Sequence, residues 1–396
     1  MGDRLTIPFN QSSLLGKELE HISRAMKIGQ IAGDQTFSRK CQGLLEQLLG
    51  VGRALLTTSC THALEMCALL LDIQPGDEVI VPSFTFVSTA NAFALRGARL
   101  VFADIRPDTL NLDEARLEEL ISVRTRVIVT VHYAGVGCEM EKISSIAERH
   151  GVALVEDNAH GLFGKYRGKW LGSFGRLATQ SFHETKNITC GEGGALLIND
   201  PALIERAEII REKGTDRSRF FRGQVDKYSW VDFGSSYVMS DVLAAFLYGQ
   251  LEVYEEIQAK RRAVWEYYEQ QLKAWSNERG ITCPIVPAHC EQSYHMFYLM
   301  MPSLEERQAL ISFLKSRGIL SVFHYVPLHL SSMGLKLCAR TADCPVTEEK
   351  SNRLVRLPFF NGLTRGEQDK VIAALLDFDS SRRKVFPVAT THSGSR

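Results

Sequence analysis

Short, almost continuous apolar runs alternate with amphipathic stretches between residues 53 and 200. The apolar runs have the length and β-branched content of buried strands, whereas stretches such as "EMEKISSIAERHG" repeat apolar residues at helical spacing. Strands that are apolar throughout, rather than at alternate positions, are typical of a sheet covered by helices on both faces. The pattern therefore predicts an α/β fold with a mostly parallel central sheet.

Residues 241–275 keep a helical repeat of apolar positions over many turns without a proline, which indicates a long connecting helix. Further apolar runs predict a smaller α/β unit after it. We therefore expect a large α/β domain over residues 1–245 and a smaller C-terminal domain, which includes the connecting helix, over residues 246–379. The tail, residues 380–396, is rich in turn formers and poor in apolar residues, so we expect it to be disordered.

The composition is that of an ordinary globular enzyme, with 45% hydrophobic and 23% charged residues among 396. Because 46 basic residues balance 46 acidic ones, no net charge attracts nucleic acid or anionic lipid, and the longest apolar runs are too short to span a membrane. The first residues lack the regions of a secretion signal, and the nine cysteines form no CxxC pair. We expect a cytoplasmic protein with reduced thiols and no metal, nucleic-acid or membrane partner.

Three polar residues near predicted strand ends could carry chemistry. Asp157 ends the run "ALVED" and either caps a turn or faces a cationic group, such as a protonated ring nitrogen, that offsets its desolvation. His160 could donate to a phenolic oxygen or pack in the core. Lys186, in "SFHETKNIT", is either a solvated loop cation or an amine that forms an imine with a carbonyl cofactor.

A turn that contains Ser59, Cys60 and Thr61 leads from a predicted strand into an apolar helix. Such a turn can hold a phosphate on unpaired amides or simply cap the helix. Phe86 follows another strand, where its ring could stack on a flat cofactor or pack in the core. The chain has no GxxxxGK[ST] motif and no GxGxxG in a βα turn, which argues against nucleotide hydrolysis and nicotinamide binding. The joint order of phosphate turn, aromatic ring, strand-end acid and lysine instead predicts pyridoxal phosphate (PLP).

The chain resembles the sugar aminotransferases of the DegT/DnrJ/EryC1/StrS family over about residues 5–378. The segments that carry the resemblance occur in the family's order and include "TTSCTHALEM", "PGDEVIVPSFTFVSTANAFALRGA", "VEDNAHG", "SFHETKN", "GEGGALLIND", "HYVPLH" and "RLPFF". The resemblance implies a PLP enzyme of the aspartate-aminotransferase-like fold (fold type I), acting as a homodimer with its active site at the subunit interface. "SFHETKN", "GQVDKYSW" and "GSSYVMS" are similar to the subgroup that aminates C4 of dTDP-4-keto-6-deoxy-D-glucose, with L-glutamate as the family's usual donor.

The resemblance also implies roles for single residues. Lys186 would form the imine with PLP, and Asp157 would pair with the pyridinium nitrogen. His160 would contact the phenolic oxygen, where many relatives have glutamine, and Phe86 would stack on the ring. The phosphate would be held by residues of two segments, namely Ser59, Cys60, Thr61 and Ser181.

The resemblance implies a further cofactor contact and several substrate contacts in three other segments. Ser236 stands where much of the family has an asparagine that reaches the cofactor phosphate of the neighbouring subunit. Lys227, Tyr228 and His329 are candidates for contacts with the sugar nucleotide, and the alternatives for them are a loop lysine and a core histidine. The other activities compatible with the resemblance are a 3-keto sugar aminotransferase, a UDP- or GDP-sugar aminotransferase and, more remotely, a catalytically silent regulator that binds PLP or a sugar nucleotide.

Overall fold

The computed structural model describes residues 6–378, so the tail expected to be disordered lies outside the described residues. The strands within them are β1 (Arg53–Thr57), β2 (Glu78–Pro82), β3 (Arg99–Ala103), β4 (Thr125–Val131), β5 (Ala153–Asp157), β6 (Lys165–Tyr166), β7 (Lys169–Trp170), β8 (Leu177–Ser181), β9 (Gly194–Ile198), β10 (Cys290–Glu291), β11 (Tyr298–Met300) and β12 (Leu354–Arg356). The α-helices are α1 (Glu18–Ile28), α2 (Thr36–Leu49), α3 (Cys60–Leu70), α4 (Val87–Ala94), α5 (Met140–His150), α6 (Ile204–Arg211), α7 (Arg217–Phe221), α8 (Asp241–Leu251), α9 (Tyr254–Glu278), α10 (Leu304–Ser316), α11 (Ser332–Leu337), α12 (Pro345–Arg353) and α13 (Arg365–Leu376).

Seven strands form the central sheet, in the order β1-β9-β8-β5-β4-β2-β3. The five strands from β8 to β3 are parallel to their neighbours, whereas β9 is antiparallel to both β8 and β1. The expected mostly parallel sheet is therefore confirmed. The chain first adds β3 on one side of β2. It then adds β4, β5 and β8 in turn on the other side, so the strand order reverses between β2 and β4. Ligands of such sheets bind at the carboxyl ends beside this reversal.

Alternate side chains of the strands pack against helices on opposite faces of the sheet. Helices α3, α4 and α6 cover the first face, with core residues that include Leu55, Leu64, Val79, Val127, Leu196 and Ile210. Helix α5 covers part of the second face, and α2 and α8 cover the rest, with core residues that include Ile80, Ile128, Leu154, Ile143, Phe37, Leu56 and Leu247. Burial on both faces explains why the strands are apolar throughout.

A separate hydrophobic core surrounds α9 near the C-terminal end of the chain. Trp265 and Tyr268 of α9 pack in it with residues of β11, α10 and α13, and Ile7 joins this core through a bridge to Ile319. The expected boundary near residue 245 falls inside α8, which packs in the core of the sheet. We propose a two-domain division between α8 and α9. Within residues 6–378, the structure contains no helix with the length and apolarity that crossing a bilayer requires.

Candidate active site

The carboxyl edge of the sheet brings Asp157 and Lys186 together. Asp157 is the last residue of β5 and pairs in register with Val131 of β4 and Thr179 of β8. Lys186 lies in the loop that follows β8, where its amide donates to the carbonyl of His183 at 2.9 Å. The two side chains are close enough for each charge to act on the pKa of the other group. Asp157 therefore lies one strand from the reversal between β2 and β4, and Lys186 lies close to Asp157.

Asp157 is a buried carboxylate that accepts two hydrogen bonds within the described structure. The Thr89 hydroxyl donates to Oδ2 at 2.7 Å, and the Ala159 amide donates to Oδ1 at 3.2 Å. Burial raises the pKa of Asp157, although these hydrogen bonds and the nearby charge of Lys186 offset part of the effect. A cationic group held against this carboxylate would favour its ionised form, as a protonated ring nitrogen would.

Lys186 carries an amine that is easier to deprotonate than that of an ordinary lysine. Burial lowers the pKa of Lys186 from 10.5 to about 8, and the negative charge of Asp157 offsets part of this shift. A neutral amine is the form that adds to a carbonyl carbon. Its surroundings therefore favour the nucleophilic role over that of a solvated loop cation.

The lowered pKa of Lys186 predicts the pH dependence of cofactor capture. Because the neutral fraction of the amine reaches one half near pH 8, we expect the rate of PLP uptake by the apoenzyme to rise with pH and level off above about pH 9. Stopped-flow absorbance at a series of pH values measures this rate. Nα-acetyl-lysine is the reference, since its rate should keep rising towards about pH 10.4. An apoenzyme rate that follows the reference would contradict the lowered pKa of Lys186.

The predicted phosphate turn connects β1 to α3. The Ser59 hydroxyl accepts from the His62 amide at 3.1 Å and so caps the helix, which leaves the amides of Cys60 and Thr61 to serve a ligand. The Thr61 hydroxyl lies 2.8 Å from that of Ser88, and the Cys60 thiol lies 3.4 Å from the Thr179 hydroxyl. The start of an eleven-residue helix with hydroxyl groups around it suits a phosphate.

β9 passes directly behind the turn that begins α3. A Cβ atom at Gly194 would lie 2.4 Å from the Cys60 nitrogen, so only glycine permits this approach of β9 to the turn. Ser181, the fourth predicted phosphate residue, ends the neighbouring strand β8 and is also buried. The close packing fixes the position of the helix start relative to Ser181.

His160 is buried beside Lys186, and its ring stacks on that of His295 with 4.2 Å between centroids. Burial lowers the pKa of His160 well below its ordinary value, and the charge of Lys186 lowers it further. The imidazole is therefore neutral. Its Nδ1 atom is buried without a hydrogen-bond partner in the described part of the chain. Since buried polar atoms in proteins are nearly always paired, this nitrogen fits a polar group of a ligand, such as a phenolic oxygen.

The structure adds a row of packed rings that the sequence reasoning missed. We call this row, which consists of Tyr133, His324 and Tyr325, the aromatic wall. The Tyr133 hydroxyl lies 2.7 Å from Nδ1 of His324, whose ring stacks on that of Tyr325 at 3.6 Å. The Tyr325 hydroxyl lies 3.5 Å from Nε2 of His160. Tyr325 has a φ of 44°, a strained value for a residue with a side chain. These residues lie in "VHYAGV" and "HYVPLH", so the adjacent histidine and tyrosine in each motif were the available signal.

Four of the predicted residues lie on the surface of the chain. Phe86 is 57% exposed, and its ring centroid lies 6.5 Å from that of Tyr325. Lys227, Tyr228 and Ser236 are all exposed, and Ser236 forms a β-bridge with Glu212. The described contacts do not bring these three residues to Lys186 of the same chain.

His329 is buried in the structure. Its Nδ1 atom lies 2.6 Å from the Ser83 hydroxyl, and its Nε2 atom lies 3.2 Å from a carboxylate oxygen of Glu348. Both ring nitrogens are thus engaged within the chain. This geometry favours the core-histidine alternative, in which the side chain holds the loop after β2 against α12.

Taken together, the groups at this edge fit PLP. The neutral amine of Lys186 suits the aldehyde, the carboxylate of Asp157 suits the ring nitrogen, and Nδ1 of His160 suits the phenolic oxygen. The start of α3 suits the phosphate. Each chemical group of PLP therefore has a complementary group at the carboxyl edge of the sheet.

Comparison with known proteins finds a family and several solved structures to which this chain is similar. Residues 14–376 match the family model of the DegT/DnrJ/EryC1/StrS aminotransferase family. The aminotransferase TlmJ from Streptoalloteichus hindustanus shares 30% sequence identity and a TM-score of 0.86, over 93% of this chain and 98% of that chain. PseC from Helicobacter pylori, an aminotransferase involved in the biosynthesis of pseudoaminic acid, shares 26% identity and a TM-score of 0.86, over 93% and 98% of the two chains. The PLP form of the putative sugar aminotransferase Spr1654 from Streptococcus pneumoniae shares 25% identity and a TM-score of 0.85, over 93% and 97%.

Proposed function

This chain belongs to the DegT/DnrJ/EryC1/StrS aminotransferase family, and we propose that it transfers the amino group of L-glutamate to the C4 keto group of dTDP-4-keto-6-deoxy-D-glucose. The product is a dTDP-4-amino-4,6-dideoxyhexose. The observation that carries the transaminase chemistry is the placement of Lys186 beside Asp157 at the carboxyl edge of the sheet. The choice of substrate rests on the similarity of "SFHETKN", "GQVDKYSW" and "GSSYVMS" to the 4-keto dTDP-sugar subgroup.

Family membership confirms three coarser expectations, namely the fold class, an aminotransferase activity and the use of PLP. When bound, PLP supplies an aldehyde that takes up the amino group and a ring that withdraws electrons from the reacting carbon. The remaining chemistry consists of proton transfers and charge stabilisation, which the residues of the chain provide.

We assign both proton transfers to Lys186. After the donor binds, the Lys186 amine removes the α-proton of L-glutamate, and in the second half-reaction it delivers a proton to C4 of the sugar. A pKa near 8 suits both tasks, since the amine exists in both protonation states near neutral pH. Asp157 keeps the ring nitrogen of the cofactor protonated, and buried His160 stays neutral and holds the phenolic oxygen.

We further propose a homodimer with its active sites at the subunit interface. The segment from the end of α7 to the start of α8 exposes several large apolar side chains, including Phe221 at 70%, Trp230 at 77% and Phe233 at 65%. Such a patch is more typical of an interface than of a surface in water. Lys227, Tyr228 and Ser236 lie on the same segment, so pairing would carry these three residues to the active site of the other copy.

The proposed reaction is tested by incubation of the cofactor-loaded enzyme with L-glutamate and dTDP-4-keto-6-deoxy-D-glucose. NMR spectra should show an amine-bearing C4, and their coupling constants identify the gluco or galacto product. A 3-keto dTDP-sugar and UDP- and GDP-4-keto sugars serve as competing substrates, for which we expect kcat/KM to be lower by about 100-fold or more. A better rate with any of them would replace the proposed substrate. A cofactor absorbance unchanged by L-glutamate would instead indicate a silent regulator.

A further inference from the structure

Asn187, the residue after Lys186, ties the loop of the candidate nucleophile to a segment that is distant in the sequence. The Asn187 side chain is buried, and its Nδ2 atom donates to the carbonyl of Ser293 at 2.6 Å. Its Oδ1 atom lies 2.9 Å from Nδ1 of His295. Both partners belong to the segment 293–295, which lies between β10 and β11. The loop of Lys186 is therefore held by the two polar ends of one side chain.

The same segment also holds His160. The Ser293 hydroxyl donates to the carbonyl of His160, and the His295 ring stacks on the His160 ring with 16° between the ring planes. Ser293 is held in turn by Gly135, whose carbonyl accepts from the Ser293 amide at 3.0 Å. A Cβ atom at Gly135 would lie 1.9 Å from the Ser293 hydroxyl oxygen, so glycine is needed for this approach. One buried segment thus contacts the loop of Lys186 and both the backbone and the ring of His160.

The hydrogen bonds of Asn187 fix the tautomer of His295. Because the Ser293 carbonyl can only accept, the amide nitrogen of Asn187 faces it and the amide oxygen faces His295. Burial lowers the pKa of His295 well below its ordinary value, and nearby basic side chains lower it further, so the ring is neutral. Its one hydrogen must be on Nδ1, since Nδ1 has to donate to the oxygen of Asn187. The ring stacked on His160 therefore has a single orientation.

Arg261 of α9 anchors the segment in the C-terminal core. Its guanidinium group donates to the carbonyls of Tyr294 at 2.8 Å and His295 at 2.6 Å, and also to Oδ1 of Asn361 at 2.8 Å. The Asn361 amide donates to the carbonyl of Asn187 at 3.4 Å. Tyr294 has a φ of 55°, and such a strained backbone persists only where its surroundings hold it firmly. The segment is therefore a rigid support for the two loops that contact it.

We propose that Asn187 is a positioning residue that sets the Lys186 amine relative to Nδ1 of His160. This inference rests on the proposed function, because it concerns the same active site. The aldehyde and the phenolic oxygen of PLP are on neighbouring ring carbons, so the two side chains that meet them must be placed within about 0.5 Å of the productive geometry. Lys186 and His160 follow different strands, β8 and β5. Asn187 joins the loop of the first residue to the segment that holds the second.

The test replaces Asn187 with alanine and follows the absorbance of the PLP-loaded enzyme as a function of pH. The imine nitrogen that Lys186 shares with PLP gains and loses its proton beside the phenolic oxygen. A hydrogen bond to that oxygen lowers the pH midpoint of the change, because it favours the more negative form. When His160 is displaced, we expect the midpoint to rise by about 1 pH unit, the shift that loss of a hydrogen bond to a charged group produces. The rate of the first half-reaction with L-glutamate should fall by about 10- to 100-fold.

Two further variants and a control separate positioning from folding. His295→Phe keeps a ring against His160 but cannot donate to Asn187, so the midpoint should shift in the same direction. The double variant should shift about as far as Asn187→Ala alone, because both changes remove the same hydrogen bond. Asn199→Ala is the matched control, since the Asn199 amide joins two backbone carbonyls beside the start of β8, away from Lys186. We expect this control to lower the unfolding temperature and to leave the midpoint unchanged.

The outcomes separate this inference from the proposed function. If the wild-type enzyme binds no PLP at Lys186, the proposed function itself is wrong. If the wild type binds PLP there and Asn187→Ala keeps the wild-type midpoint, only the role of Asn187 is wrong, even where the unfolding temperature falls. If Asn187→Ala does not fold, His295→Phe decides the question: an upward shift supports the inference, and an unchanged midpoint overturns it.

Discussion

Lys186→Ala is expected to abolish turnover, with a loss of at least about 1,000-fold in kcat, because the same amine is the nucleophile for PLP, the base that removes the α-proton in the first half-reaction and the acid that protonates C4 in the second. The substitution should also remove the covalent attachment of PLP. Borohydride treatment of the loaded wild type should therefore fix the cofactor on the peptide that contains Lys186, and the same treatment of the variant should fix none. Product formation is measured by NMR, and attachment is measured by peptide mass spectrometry.

Two further variants separate the chemical role of Lys186 from its charge. Lys186→Arg keeps a positive charge beside Asp157, yet a guanidinium group stays protonated and cannot add to an aldehyde, so it should be as inactive as the alanine variant. Lys315→Ala removes an exposed lysine at the end of α10 and should leave the rate unchanged. Turnover by Lys186→Ala near the wild-type rate, or attachment of the cofactor to another lysine, would refute the assignment.

The parallel part of the sheet could be predicted because its strands are uninterrupted apolar runs with helices between them. The antiparallel direction of β9 could not be predicted, since "GALLI" has the same pattern whichever way the strand runs. The two-residue strands β6, β7 and β10 are too short to leave any periodic signal. The attachment of Ile7 to the C-terminal core depends on a bridge to Ile319, a contact that no local pattern records.

The candidate site also contains residues that the sequence indicated and contacts that it did not. The sequence indicates Asp157 by its place at a strand end and Lys186 by its place in a motif loop. The structure puts both residues at one edge of the sheet, and their roles remain predictions. Thr89 holds Asp157 from 68 positions away, and nothing in its own neighbourhood indicates this contact. The motif around His329 predicts a substrate contact, but the hydrogen bond of this histidine to Ser83, 246 positions away, favours a structural role. Contacts between side chains that are distant in sequence are thus the features of the site that could not be predicted.

Asp157→Asn is expected to lower kcat by about 100- to 10,000-fold while the protein stays folded, because the change removes the charge that keeps the ring nitrogen of the cofactor protonated. The amide can still accept the hydrogen bond that Thr89 donates at 2.7 Å. Removal of a desolvated carboxylate, whose pKa is raised by burial, should not destabilise the apoenzyme. Activity and thermal unfolding of the apoenzyme are measured on the same preparations.

A PLP analogue with a methyl group on the ring nitrogen separates electrostatics from packing, since its ring carries a permanent positive charge. This analogue should restore part of the activity of Asp157→Asn, because the ring then no longer needs the carboxylate to stay charged. Thr89→Val is the matched control: it keeps the carboxylate, loses one hydrogen bond and should lower kcat by only about tenfold. If Asp157→Asn turned over at nearly the wild-type rate with ordinary PLP, Asp157 would be a turn cap, and the cofactor ring would have to face another part of the site.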